Sequence, residues 1–288
     1  MCVVARVARV STQTLPPAFR GLVDDAAIFP PGDQPLPEAA AAHQARRSEP
    51  YAGLVGTFVV RDTDLPDLKA TPLALSVVVT GGAGAIAGLA SLSRKLHIAV
   101  EGVEIALRDL DDLPGNARRV VVAVEAARAD GQLDEHVPVY VELPHVASTG
   151  SWLAAADEVA ASELRLKLRT GSLDAAAFPP AHALARWIDA ALDRETPFKC
   201  TAGLHRAVRH TGDDGFEHHG FLNVLVATQQ AFDGAPLDEV VATLEERSFA
   251  ALDVSELERG RRWFTSFGSC SVREPLDDLI ALGLLETP

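Results

Sequence analysis

Eight short apolar runs, each followed by a stretch with helical periodicity, constrain this chain more than any other feature. The runs lie at 21–24 (GLVD), 54–60 (LVGTFVV), 73–79 (LALSVVV), 98–105 (IAVEGVEI), 137–142 (VPVYVE), 164–168 (LRLKL), 198–202 (FKCTA) and 263–267 (WFTSF). They are rich in Val, Leu, Ile and aromatic residues, the composition of strands. Between them come helical stretches such as LPEAAAAHQARRSE, NARRVVVAVEAARADG and PPAHALARWIDAALDRE, the last with proline at its entrance. Eight such alternations in 288 residues predict an α/β fold, a single-domain (β/α)8 TIM barrel over 15–288. Residues 1–14 read as a loose N-terminal arm, and 205–220 as a lid loop. A doubly wound open sheet is the competing architecture. It is disfavoured because no strand-turn-helix carries GxGxxG or a Walker motif, and polar residues gather at the ends of many strands rather than at one switch point.

The net charge of −14 argues against nucleic acid or an anionic membrane as partner of the whole surface. No apolar run is long enough to span a membrane, and the N-terminus does not read as a signal peptide. The three cysteines, Cys2, Cys200 and Cys270, form neither a disulfide framework nor a CxxC pair, which fits a reducing cytoplasm. No cofactor fingerprint is present, and none is expected. A homo-oligomer remains compatible with the sequence.

Against that acidic background, ELRLKLRTG is conspicuous. Leu164, Leu166 and Leu168 share one parity, and Arg165, Lys167 and Arg169 share the other. A strand would place the leucines on one face and the cations on the opposite one. Of 26 basic residues only Lys69, Lys95, Lys167 and Lys199 are lysines. A lysine retained where arginine is favoured suits work that a guanidinium cannot do, such as amine nucleophilicity. Lys199 lies in the comparable stretch PFKCTAGLH.

Barrel chemistry sits where the strands end. Those ends deliver Asp24 and Asp25, then Arg61, then Glu142 with Tyr140 on its parity. They also deliver Lys167 and Arg169, Lys199 and Thr201, His205 and Arg209, and finally Ser269, Cys270 and Ser271. The catalytic candidates are Lys167, Lys199, Glu142 and His205. The substrate-binding candidates are Asp25, Arg61, Arg169, Thr201, Arg209, Ser269 and Ser271. The Gly-Ser turn ahead of REPLDDL predicts an anion held by backbone N–H groups near Ser269 and Ser271, although plain helix capping explains the same serines. Cys270 has no histidine at a fixed spacing. The spacing of His205, His210, His218 and His219 matches no standard metal motif, and a site of Glu142, His205 and His218 or His219 is a minor alternative.

The segments KLRTG and FKCTAGLH resemble the two lysine strands of deoxyribose-phosphate-type class I aldolases. That resemblance implies a barrel in which Lys167 forms the imine and Lys199 tunes it, leaving the family's acidic proton-relay residue unplaced. More widely, DDAAIFPP, KLRTG, FKCTAGLH, HHGFLNVLVAT and FGSCSVREPLDDL resemble segments of uncharacterised bacterial barrel proteins, which implies no activity. The expected function is a lysine-dependent lyase or aldolase acting on a small carbonyl compound bearing a carboxylate or phosphate. The alternatives are a phosphoribosyl-type transferase or metal-assisted isomerase on the same barrel, and a non-catalytic binder of a small anionic metabolite.

Overall fold

The computed structural model describes residues 15–68 and 71–287; the N-terminal arm at 1–14 and Lys69 lie outside the described residues. Eight parallel strands close into a barrel. They are β1 (Val23–Asp25), β2 (Val55–Arg61), β3 (Ala74–Val79), β4 (Ala99–Ala106), β5 (Val139–Glu142), β6 (Arg165–Arg169), β7 (Phe198–Thr201) and, after a small hairpin, β10 (Phe264–Ser269). The hairpin strands β8 (His210–Thr211) and β9 (Glu217–His218) pair antiparallel outside the barrel. Closure comes from β1 pairing with both β2 and β10. The barrel expectation therefore holds, and the open-sheet alternative does not.

Helices α1 (Leu36–Arg46), α2 (Ile86–Leu96), α3 (Leu113–Ala129), α4 (Gly150–Ala161), α5 (Ala181–Leu192), α6 (Phe221–Phe232), α7 (Leu237–Glu245), α8 (Leu257–Arg261) and α9 (Arg273–Ala281) surround the strands. Parallel strands covered by helices on one face and filled by side chains on the other read as continuous apolar runs, which is why they were visible in sequence. In α5 the residues Leu184, Ala185, Trp187, Ile188 and Ala191 are buried, a stripe at helical spacing. Trp187 stacks on Trp152 of α4 with ring centroids 6.4 Å apart, joining neighbouring helices of the outer layer.

The ends of β6 and β7 are locked together. The Thr170 N–H donates to the Thr201 carbonyl at 2.9 Å, and the Thr170 hydroxyl donates to the Ala202 carbonyl at 2.5 Å. A Cβ on Gly171 would come within 2.8 Å of Gly203 Cα, and Gly203 has φ +77°. Glycine is needed at both places, one for close backbone approach and one for a left-handed conformation. The TG of KLRTG and the AG of TAGLH thus hold the two lysine strands in register, Lys167 opposite Lys199.

The expected lid loop takes a more regular form: a short hairpin, with the Thr211 and Arg247 side chains both bonded to Glu217. Among the described residues no helix is long and apolar enough to cross a membrane.

Candidate active site

A cavity of about 500 Å³ opens at the C-terminal ends of the strands. Its floor contains Glu104, Glu142 and Lys167, and its walls include Arg169, Thr201, His205 and Cys270. The hairpin contributes Asp214, Phe216 and His218 to the rim. Phe178 fixes the hairpin from the side, its ring 5.5 Å from Phe216 and 4.5 Å from His218.

From the cavity wall at Arg169 a chain of ion pairs runs through the floor to the buried Lys199 beneath it. Lys199 Nζ meets Asp24 Oδ2 at 2.6 Å and Glu104 Oε1 at 2.8 Å. The other oxygen of Glu104 meets Lys167 Nζ at 2.7 Å. Lys167 also meets Glu142 Oε2 at 3.0 Å, and Glu142 Oε1 accepts from Arg169 Nε at 2.8 Å. Asp24, Glu104 and Glu142 balance Lys199, Lys167 and Arg169, so the chain is neutral as a whole. Stripping an ion of water costs several kcal/mol even after relaxation, and only dense pairing with further hydrogen bonds offsets that cost. Those bonds are present. Ser76 Oγ donates to Glu104 at 2.6 Å and Ser266 Oγ to Asp24 at 2.7 Å. The N–H and hydroxyl of Thr57 both donate to Asp24 Oδ1 at 2.9 Å.

Protonation follows the pairing. Burial alone would push Lys167 and Lys199 toward the neutral amine, but Glu104 with Glu142, and Asp24 with Glu104, outweigh it and raise both pKa values above the usual 10.5. Burial likewise opposes ionisation of Glu104 and Glu142. The ammonium groups, joined at Glu142 by Arg169, overcome it and hold both carboxyls below the usual 4.5. The lowering of one lysine's pKa by the next is therefore absent at rest: Glu104 sits between the two amines and keeps both charged.

The structure gathers some of the sequence candidates and separates others. Lys167, Glu142, Arg169, Thr201 and His205 line the cavity, while Lys199 lies one layer below it. Asp25 faces the helix layer, where its carboxylate meets His43 at 3.0 Å and Arg46 at 2.5 Å, so it does not line the cavity at the strand ends. Successive residues of a strand point to opposite faces, and it is Asp24 that points inward. Arg61 packs its guanidinium 4.6 Å from the Phe29 ring centroid and pairs with Asp64. Arg209 pairs with Glu217 at 3.3 Å. Ser269 donates to the Ser271 carbonyl, and Ser271 Oγ accepts from the Glu274 N–H, so both serines serve their own turn. Neither Arg61, Arg209, Ser269 nor Ser271 lines the cavity. Among the described residues no group of three or more His, Cys, Asp or Glu is placed to hold a metal ion. His219, offered as a ligand in the minor alternative, is fully buried with Nε2 2.8 Å from the Pro179 carbonyl, and burial pushes it down to about 4.

Glu104 is the residue that sequence reasoning missed. Its signal was an acid flanked by Val103 and Ile105 inside an apolar strand, the same kind of anomaly that marked Lys167.

No protein-family model matches the chain, and no curated protein matches it in sequence. Among solved structures, a deoxyribose phosphate aldolase from Aeropyrum pernix, described as having a unique tetrameric structure, is similar in fold. It superposes with a TM-score of 0.54 at 11% identity, over 93% of each chain. At that identity the likeness concerns the barrel.

Proposed function

We propose that this chain is a lysine-dependent lyase of the aldolase type, acting on a small carbonyl compound that carries a carboxylate or phosphate. The observation that carries the reading is the Lys167 amine on the floor of the cavity, held between the carboxylates of Glu104 and Glu142. An ammonium cannot attack a carbonyl carbon, so Lys167 must first release a proton. Glu104 Oε2, at 2.7 Å, is placed to take it. That transfer replaces an ammonium and a carboxylate by an amine and a carboxylic acid, leaving the net charge of the buried chain unchanged. Burial favours the neutral pair once a substrate displaces the remaining solvent. The neutral amine then adds to the carbonyl, and loss of water gives the imine, the electron sink for breaking a neighbouring carbon–carbon bond. Lys199 stays protonated below. Its charge disfavours a second ammonium at Lys167, and by favouring the Glu104 carboxylate it makes the proton on Glu104 a transient one, ready to be passed on.

On the walls, Arg169 and Thr201 are the groups proposed for the anionic and hydroxyl ends of the substrate, and His205 for proton transfer on the side away from Glu104. A homo-oligomer, as the tetrameric Aeropyrum pernix aldolase is, and a cytoplasmic location belong to the same proposal.

The test is reductive trapping. The protein is incubated with a panel of aldehydes and 2-oxo acids, borohydride is added, and adducts are mapped by peptide mass. An adduct on Lys167, lost in Lys167→Arg, is expected, together with turnover that stops in that variant. Turnover that survives Lys167→Arg ends the reading. Turnover without an adduct that stops with a chelator moves the assignment to the metal-assisted isomerase.

A further inference from the structure

Facing the lysine floor, two residues of the cavity wall and a third behind them form a set that the proposed imine chemistry does not require. His205 reaches in from the segment after β7, Cys270 from the turn after β10, and Glu274 from the first turn of α9. His205 Nδ1 lies 2.7 Å from Glu274 Oε2, and His205 Nε2 lies 3.8 Å from Cys270 Sγ. The Glu274 carboxylate can only accept, so Nδ1 carries the hydrogen and Nε2 presents its lone pair to the thiol. A nucleophile beside a base, with the base oriented by a third group, is the arrangement of a nucleophilic triad. Both Cys270 and His205 line the cavity. Gly32 packs closely over the cysteine: a Cβ there would meet Cys270 Cβ at 2.9 Å.

We propose that Cys270, His205 and Glu274 form a second nucleophilic site in the cavity, one that adds reversibly to the carbonyl group of a small aldehyde. The sulfur–carbon bond forms as the S–H bond breaks. The proton passes to His205 Nε2 and from there to the carbonyl oxygen, giving a hemithioacetal with no oxidant, reductant or leaving group. Burial, with Glu274 next, pushes the Cys270 thiol up to about 11, so the residue is no standing thiolate and the proton must leave during attack, as it does for a serine paired with histidine. The other cysteine of the barrel, Cys200, is fully buried and outside the cavity. The Lys167 amine takes no part in this addition; the site shares His205 and the cavity with the imine reading but does not depend on it.

The experiment uses the full chain carrying Lys167→Arg, which removes the amine and keeps the charge. Iodoacetamide labelling at Cys270 is followed by peptide mass mapping, which separates it from labelling at Cys2 and Cys200, with propionaldehyde as the competing probe. Propionaldehyde is expected to suppress Cys270 labelling saturably. Adding His205→Asn should slow labelling by about a hundredfold or more, the span typical of general-base assistance. Glu274→Gln should slow it less, and Glu274→Asp should restore it, which a purely structural carboxylate would not require. Labelling that ignores propionaldehyde, or that proceeds at the parent rate in the His205→Asn protein, overturns the proposal. If His205→Asn fails to fold by circular dichroism, the aldehyde competition alone decides, in either direction. Absence of a borohydride adduct on Lys167 in the wild-type chain would end the imine reading and leave this site unaffected.

Discussion

Lys167 and Lys199 stand opposite each other on adjacent strands, both buried, both raised in pKa, and both bonded to the same glutamate. They differ in what lies above them. Lys167 opens on the cavity, whereas Lys199 is sealed between Asp24, Glu104 and the Tyr140 ring, whose centroid is 5.2 Å from its Nζ. Two lysines of like charge and burial thus differ in access. Under the proposed function the lower layer would serve as a foundation, and the upper layer would exchange a carboxylate partner for a substrate.

The sharpest way to break this comparison is to remove each amine in turn. Lys199→Met leaves Asp24 and one oxygen of Glu104 without their cation in a sealed site, and should destabilise the fold by about 3–5 kcal/mol. Lys167→Met leaves Glu104 with Lys199 and Glu142 with Arg169, beside a cavity that admits water. It should cost about 1–3 kcal/mol. Urea midpoints of the two variants measure the order. Equal losses would erase the distinction between the layers.

The pH dependence sharpens the same point. Glu104 and Glu142 ionise below the usual 4.5 in the folded chain, so the unfolded chain binds more protons in the interval beneath that value. Their contribution to stability is full above about 4.5 and is lost as the pH falls through the folded-state values. Lys167 and Lys199 are raised above 10.5, so theirs is full below 10.5 and is lost as the pH rises beyond it. The urea midpoint should hold between these limits and fall on both sides. Glu104→Gln should flatten the acid limb.

Much of the fold was legible because parallel barrel strands declare themselves as apolar runs, and the observed strands begin and end within a residue or two of those runs. The interior site was legible only in part. Lys167, Lys199 and Glu142 interrupt apolar strands near their ends, where attention falls in a barrel. Glu104 interrupts its strand in the same manner but offers no motif around it. Asp24 and Asp25 are neighbours in sequence, and only the pleat decides which one faces inward. His205 and Cys270 are 65 positions apart, and they meet because β7 pairs with β10, a contact between strands far apart in the sequence.

Smaller effects test the supports of the two layers. Gly203→Ala places a side chain at φ +77°, with its Cβ 2.7 Å from the Thr170 carbonyl oxygen. It should cost about 1–3 kcal/mol of stability and disturb the register of the lysine strands. Circular dichroism melts and the rate of any borohydride adduct on Lys167 would report both. Ser271→Ala removes an acceptor from the first turn of α9 and should cost about 0.5–1 kcal/mol. Inorganic phosphate should leave the melting temperature of parent and variant alike unchanged if the turn serves only the helix.

The central claim is that two of the chain's lysines are held as ammonium groups and that only Lys167 meets a substrate. With four lysines in the sequence, a protein labelled with 15N at the lysine side chains gives a spectrum simple enough to follow each amine through a titration. The account predicts two resonances that stay protonated beyond pH 10.5, one absent in Lys167→Arg, and predicts that only this one changes when a reactive carbonyl compound is added. A Lys167 resonance that loses its proton at or below 10.5, or a carbonyl compound that moves Lys199 instead, would contradict it.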